Sequence, residues 1–257
     1  MHPIIPWVGG KRRLAKQLLP LIEGTAHTCY VEPFAGAAAL LFMRSAPAKA
    51  EVLNDVHHDL VTLYRVVQHH LDEFVRQFRW ALSSREMFRW AKLQHVDTLT
   101  DIQRAARFYY LQQLTFGSKI TSQTFGVSTT APAGLNLLRI EEELSAAHLR
   151  LARVTIEHLP WQNCIERYDR VHTLFFADPP YWRTQGYGVP FGWEQYEQLA
   201  EVMRRIKGRL ILTINDHPDV RRLFAEFPTK PVDIQYTLGG GAAAKPAREL
   251  IIRAGCW

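Results

Sequence analysis

The chain has 257 residues, 47% hydrophobic and 22% charged, a composition that excludes intrinsic disorder and allows a full core with one inserted or appended subdomain. Its formal charge of +6 at pH 7 points toward a polyanionic partner, because clustered Lys and Arg bind phosphates by displacing counterions. No stretch is apolar for long enough to span a membrane, and the three cysteines, Cys29, Cys164 and Cys256, are odd in number and far apart, which argues against a disulfide scaffold and for a reducing compartment.

Pro6-Trp7-Val8-Gly9-Gly10-Lys11-Arg12 sets two glycines and a lysine before a helix-like stretch at 12–21. Glycine lets a ligand approach the backbone and lysine supplies charge. The leading glycine of a P-loop is absent, however, and Arg12 stands where its hydroxyl would be, so a plain helix-capping loop reads nearly as well. Cys29-Tyr30-Val31 reads as a short strand, and Glu32-Pro33-Phe34-Ala35-Gly36 leads from it into a small-residue helix. Nucleotide-binding βα turns are built this way, although the full dinucleotide fingerprint is missing. Glu32 is placed to meet a cationic or hydroxyl-bearing ligand. About twenty residues on, Glu51-Val52-Leu53 reads as a second strand ending in Asn54-Asp55, with a helix at 58–67. Asp55 is either a ribose ligand of Rossmann-like type or the N-cap of that helix; the preceding turn favours the ribose.

Residues 71–113 show helical periodicity and no strand-like run. Arg76, Arg79, Arg85, Arg89, Lys92, Arg104 and Arg107 are interleaved with Phe78, Trp80, Phe88, Trp90, Phe108, Tyr109 and Tyr110. Residue by residue this is the core and solvated face of a helical subdomain; together it suggests a phosphate-contacting surface, with Arg89 and Lys92 as candidates. The stretch 115–126 reads as a hairpin or loop, in which Ser118, Lys119, Ser122 and Gln123 suit base edges and phosphates. An amphipathic helix at 135–149 follows, then a strand Val154-Thr155-Ile156 ending near Glu157, His158 and Leu159.

Thr173-Leu174-Phe175-Phe176-Ala177 has the length and residue types of a strand buried on both faces. Asp178-Pro179-Pro180-Tyr181 forbids further ladder bonding, so the strand ends at Asp178. Ligands of open α/β sheets sit outside the carboxyl ends of the strands, where this segment gathers a carboxylate, prolyl carbonyls and a phenol ring. Taken alone, the same residues are ordinary turn chemistry. A glycine- and aromatic-containing loop at 183–193 suits a lid. A helix at 194–207, a buried strand at 209–214 stopped by Asn215-Asp216-His217-Pro218, and a hairpin of 232–238 with 249–253 across Gly239-Gly240-Gly241 complete the chain. Lys245 and Arg248 are placed there to touch phosphates.

In their order and spacing, Trp7-Val8-Gly9-Gly10-Lys11, Glu32-Pro33-Phe34-Ala35-Gly36, Asn54-Asp55 and Asp178-Pro179-Pro180-Tyr181 resemble the Dam-like DNA N6-adenine methyltransferases in their alpha arrangement, over nearly the whole chain. The resemblance implies an α/β fold, a Rossmann-like S-adenosylmethionine-dependent methyltransferase sheet at 1–60 and 136–257 with an inserted, mostly helical target-recognition domain at 61–135. It implies that Trp7, Gly9, Lys11, Glu32, Pro33, Phe34, Gly36, Asp55, His158, Leu159 and Asp178 line the S-adenosylmethionine pocket. Asp178, Pro179, Pro180 and Tyr181 would then act on N6 of an adenine flipped out of double-stranded DNA, with Tyr181 stacking on the base. Members that read GATC carry an Arg- and Asn-containing hairpin where this chain has residues 118–126, so GATC is not expected.

Two other readings stay open: a methyltransferase for RNA adenine or a protein amide, since such tetrapeptides serve planar nitrogens generally, and a catalytically silent DNA-binding module. The acid at 178 and the basic insert favour DNA; competent residues at every carried-over position favour an enzyme. His57-His58 and His69-His70 lack a companion ligand motif, so no metal is expected. With neither a basic leader nor an apolar segment at 1–10, a cytoplasmic protein is expected. The sequence does not decide between monomer and homodimer.

Overall fold

The computed structural model describes residues 1–130, 132–184, 188, 190–236 and 245–257, leaving aside the side chains of 235, 236 and 245–247. Among these residues the apolar runs form seven strands: β1 (Cys29–Glu32), β2 (Ala50–Asn54), β3 (Val154–Glu157), β4 (Thr173–Ala177), β5 (Arg209–Asn215), β6 (Thr229–Tyr236) and β7 (Lys245–Ala254). They make one sheet in the order β3-β2-β1-β4-β5-β7-β6, with β1 to β5 parallel and β7 antiparallel to both neighbours. This is the Rossmann-like sheet that the motifs implied. The winding reverses between β1 and β4, and ligands bind in the crevice at the carboxyl ends of strands flanking such a switch. Glu32 ends β1, and Asp178 follows β4.

The described helices are α1 (Ala15–Glu23), α2 (Ala39–Met43), α3 (His58–His69), α4 (Leu71–Arg76), α5 (Arg85–Leu93), α6 (Asp101–Leu114), α7 (Ile140–Leu151), α8 (Trp161–Tyr168), α9 (Trp193–Arg205) and α10 (Pro218–Leu223). All five residues of β4 are buried because alternate side chains enter opposite layers. Leu174 and Phe176 pack into the cluster that holds Leu18 of α1, Leu63 of α3 and Leu144 of α7. Phe175 and Ala177 pack with Trp161 of α8, Tyr196 of α9 and Val220 of α10. Gln68 of α3 donates its amide to the Val154 carbonyl of β3 at 2.8 Å, and Leu63, Tyr64, Val66 and Val67 join the first cluster, so α3 is part of the cover of the sheet.

Three local departures from the expected elements have local causes. Helix α7 begins at Ile140 rather than 135, because Asn136 Oδ1 accepts the Leu138 N–H at 3.2 Å, a side-chain turn that competes with the helix. Helix α8 was not anticipated, although Trp161, Cys164 and Ile165, its buried residues, stand at helical spacing. Pro218, read only as a strand stop, also opens α10, where the His217 side chain accepts the Asp219 N–H at 3.2 Å; proline suits the first helical turn because its missing N–H would have no partner there.

Asn54, fully buried at the end of β2, pins the crevice. Its Nδ2 donates to the carbonyls of Pro33 (2.9 Å) and Leu159 (3.0 Å), and its Oδ1 accepts the Leu159 N–H (2.9 Å), tying the ends of β1, β2 and β3 together. Asn54→Ala strands the buried Pro33 carbonyl, at roughly 1–3 kcal/mol before relaxation, and frees the carbonyl and N–H of the half-buried Leu159 at a smaller cost. The expected outcome is a lower urea midpoint with an unchanged m-value, together with weaker S-adenosylmethionine binding. Wild-type values of both would remove Asn54 from this role.

Candidate active site

A cavity of about 350 Å³ opens at the carboxyl ends of β1, β2 and β4. Trp7, Lys11, Glu32, Phe34, Gly36, Asp55 and Asp178 line it, seven of the eleven residues that the resemblance assigned to the pocket. Gly36 is required there. Its φ is +47°, and an added Cβ would stand 2.8 Å from Trp7 Nε1, so both backbone strain and a clash exclude a larger residue. The loop is held by Asp55, whose Oδ2 accepts the Gly36 N–H at 3.0 Å and Oδ1 the His57 N–H at 2.9 Å, and by the Tyr64 hydroxyl, which donates to the Gly36 carbonyl at 2.6 Å. Asp55 is therefore not the cap of α3; the His57 side chain is. Burial raises the Asp55 pKa, while the N–H groups of Gly36 and His57 pull it back.

Glu32 is almost fully buried, and its Oε1 accepts the Tyr30 hydroxyl (2.9 Å) and the Leu41 N–H (3.1 Å). Burial pushes its carboxyl up to about 8. A carboxyl raised on folding holds its proton more tightly in the native state, so folding stability falls as pH rises from the unfolded value toward the folded one. Glu32→Gln keeps the shape and cannot ionise. The variant should melt with wild type near pH 4 and above it at pH 8; parallel melting curves across that range would show that Glu32 titrates normally.

The centre of the site is a polar cluster around Lys11. Its ammonium lies 2.7 Å from Asp178 Oδ1, donates to the Tyr181 hydroxyl at 2.6 Å and to the Gly9 carbonyl at 2.9 Å, and approaches Glu249 Oε2 at 3.8 Å. The Thr213 hydroxyl donates to Asp178 Oδ1 at 2.9 Å. Burial is the main cause that raises the Asp178 carboxyl to about 6, Lys11 opposes it, and Glu249 adds to it. The carboxylate thus sits at the cavity wall, ionised above that pH and oriented by two donors on one oxygen.

Several assigned residues stand elsewhere. Gly9, Pro33, His158 and Leu159 are not among the cavity-lining residues: the carbonyls of Gly9, Pro33 and Leu159 are engaged by Lys11 and Asn54, and His158 pairs with the Val56 carbonyl and stacks on His58. Pro160, Trp161 and Gln162, the next three residues, line the cavity instead, together with Phe191 and with Gln195, whose Oε1 accepts the Trp161 ring N–H at 2.9 Å and the Gln162 amide at 3.2 Å; the apolar spacing of α8 was the signal that could have found them. Pro180 lines the cavity and its carbonyl accepts the Tyr196 hydroxyl. Pro179 is buried, and no donor among the described residues is directed at its carbonyl. Tyr181 is only 8% exposed and packs in the apolar cluster of Phe175 and Tyr196, so the open stacking face expected of it is not presented here.

Of the candidate DNA contacts, Lys119 and Ser122 are exposed and Ser118 is half-buried. Both serines have positive φ, within a loop closed by the bridge of Thr115 to Phe125. Gln123 is turned inward, its amide donating to Gln112 Oε1 at 2.6 Å. Lys92 holds the Gln123 carbonyl at 2.8 Å, Arg89 pairs with Glu86 at 2.5 Å, and Arg248 pairs with Asp233 at 2.9 Å. The Lys245 side chain, the glycines at 239–241 and residues 185–187 and 189 of the loop after Tyr181 lie outside the described residues.

The lining suits S-adenosylmethionine in chemistry. Phe34 packs against Trp161 and Phe191 with centroids 5.8 Å apart in each pair, supplying aromatic walls for a purine, and Glu32 and Asp55 supply carboxyls for hydroxyl and ammonium groups. Among the described residues no group of three or more His, Cys, Asp or Glu is arranged to hold a metal ion, and no helix is long and apolar enough to cross a membrane.

The type II methyltransferase M.CviBI of Paramecium bursaria Chlorella virus NC1A is 26% identical over 233 residues, covering 87% of this chain and 86% of that protein. The DNA adenine methylase of Serratia marcescens is 27% identical over 113 residues, 42% of this chain and 40% of that protein. Among solved structures, an S-adenosylmethionine-dependent O-methyltransferase from Thermotoga maritima aligns with 95% of this chain and 65% of its own at 10% identity and a TM-score of 0.39. The sequence model described as D12 class N6 adenine-specific DNA methyltransferase matches residues 7–238. That match runs from the Trp7 loop through the Asp178 tetrapeptide and past β6, and the chain accordingly belongs to the D12 class of N6 adenine-specific DNA methyltransferases, enzymes that take their methyl group from S-adenosylmethionine.

Proposed function

We propose that this enzyme methylates N6 of adenine at specific sites in double-stranded DNA, acting on a base extruded from the helix. The observation that carries this reading is the orientation of Asp178. Both of its described partners, Lys11 and Thr213, fall on Oδ1, which leaves Oδ2 for an amine hydrogen. Bound S-adenosylmethionine supplies a sulfonium-activated methyl group.

Adenine's exocyclic amine is a poor nucleophile because its lone pair is delocalised into the ring. Asp178 Oδ2 accepts one amine hydrogen and the Pro179 carbonyl the other, which localises the lone pair on nitrogen and aims it. Fixed acceptors of this kind act through orientation and preorganised electrostatics. Tyr181 contributes through its hydroxyl, which holds Lys11 against Asp178. Inside a duplex the amine cannot reach a wall residue, so the base leaves the stack, as in other enzymes that act on bases. The helical insert reads the site; with α3 in the sheet's cover, its start falls after His69 and it runs to residue 135. Ser118, Lys119 and Ser122 face the DNA, and Arg89 and Arg248, in exposed ion pairs of little net energy, exchange their carboxylate partners for phosphates.

Methylated adenines in DNA from a host that expresses the chain should fall in one short recognition sequence. Labelled methyl transfer should go to duplex DNA in preference to RNA or protein. Transfer confined to RNA or protein, or adenine methylation without a sequence context, would overturn the reading.

A further inference from the structure

Glu249 is 1% exposed and lies in β7 opposite Asn215 of β5, with Leu250 and Ile252 of its own strand in the core. An acid in such a strand costs free energy unless a charge meets it. The charge it meets is Lys11, already 2.7 Å from Asp178 and 3.8 Å from Glu249. Two carboxylates thus face one ammonium. The titratable groups gathered here are Lys11 from the N-terminal loop, Asp178 following β4, Glu249 from β7 and Glu32 ending β1, the last with its carboxyl pushed up to about 8 by burial and so largely neutral at pH 7.5; Thr213 and Tyr181 bring hydroxyls. Glu249 does not line the cavity and approaches it through Lys11.

We propose that Glu249 is a positioning residue that holds Lys11 from behind and sets the charge of the donor site, so that the site prefers the sulfonium donor to the neutral thioether left after methyl transfer. This rests on the reading above, which brings the sulfonium beside Asp178. A donor loses its positive charge as its methyl group leaves. A surplus negative charge in the wall therefore favours loaded donor over spent product and promotes exchange between turnovers.

The test is calorimetric binding of S-adenosylmethionine and S-adenosylhomocysteine to the full-length wild type, Glu249→Gln and Glu249→Asp at pH 7.5. Removing one unit charge from the wall lowers the preference for the sulfonium roughly tenfold in the glutamine variant, with thioether binding little changed, and aspartate restores most of it. Equal loss for both ligands, or an unchanged ratio, overturns the proposal. Should the glutamine variant fail to fold, Glu249→Met, similar in size and apolar like its neighbours Leu250 and Ile252, carries the same comparison, and an unchanged ratio of the two affinities overturns the proposal. Failure of the adenine reading shows separately, as methyl transfer that survives Asp178→Ala.

Discussion

Asp178→Ala is expected to lower methyl transfer to DNA by about 10³-fold or more while leaving S-adenosylmethionine binding measurable. On the reading proposed above, the variant loses the acceptor that localises the amine lone pair, and loss of one preorganised electrostatic partner costs roughly 10²–10³ in kcat elsewhere. It also releases Lys11 from its shortest ion pair, at 2.7 Å, so the remaining orientation of the site suffers too. The aromatic walls and the Glu32 and Asp55 carboxyls are untouched, which is why donor binding survives. Asp178→Asn separates the two contributions, because it keeps an acceptor oxygen and removes the charge. With the Asp178 carboxyl raised to about 6, wild-type kcat/KM should fall as pH drops through that value, since protonation removes the carboxylate. The asparagine variant should keep more activity than alanine and lose that acidic limb. Turnover of Asp178→Ala at the wild-type rate would falsify the assignment.

Lys11→Met is expected to be the most destabilising change in the site. Methionine fills much of the space, but Asp178 and Glu249 are left without the ammonium between them, and an uncompensated buried charge costs about 3–5 kcal/mol. Part of that cost is avoided by proton uptake. Lys11 is the main group that lowers the Asp178 pKa, so its loss raises that pKa further. A carboxyl whose folded pKa is raised adds stability below its unfolded pKa and loses it as pH rises through the folded value. The deficit of the variant in urea should therefore be small near pH 5 and large at pH 8, and any residual activity should have its acidic limb at higher pH than wild type. An equal deficit at both pH values would show that Lys11 acts by packing alone.

The strands and the turn at 178–181 were readable from the chain because their causes are local. An apolar run such as 173–177 buries itself on both faces, two prolines end it, and Gly36 leaves the space that the Trp7 ring takes. The direction of Tyr181 was not readable in that way. A phenol after a diproline turn reads equally as a stacking platform or as part of a wall, and the contact of its hydroxyl with Lys11 spans 170 positions. His158 and Leu159 illustrate a smaller difference. The strand ends where the chain implies, but the side chain of Asn54 claims the Leu159 backbone and the lining moves to 160–162.

The sequence by itself determined the family, the parallel sheet with its crevice, and the identity of the acid at 178, since hydrophobic period, turn chemistry and ordered motifs are properties of short stretches. Only the tertiary structure decided which groups share a proton or a charge. Lys11, Asp178, Thr213 and Glu249 come from four distant segments, and the sheet register that gathers them depends on packing across the whole core. Glu249 carried no sequence signal at all, because an acid in an edge-seeking hairpin looks like any solvated residue until β5 and β7 pair and bury it against the lysine.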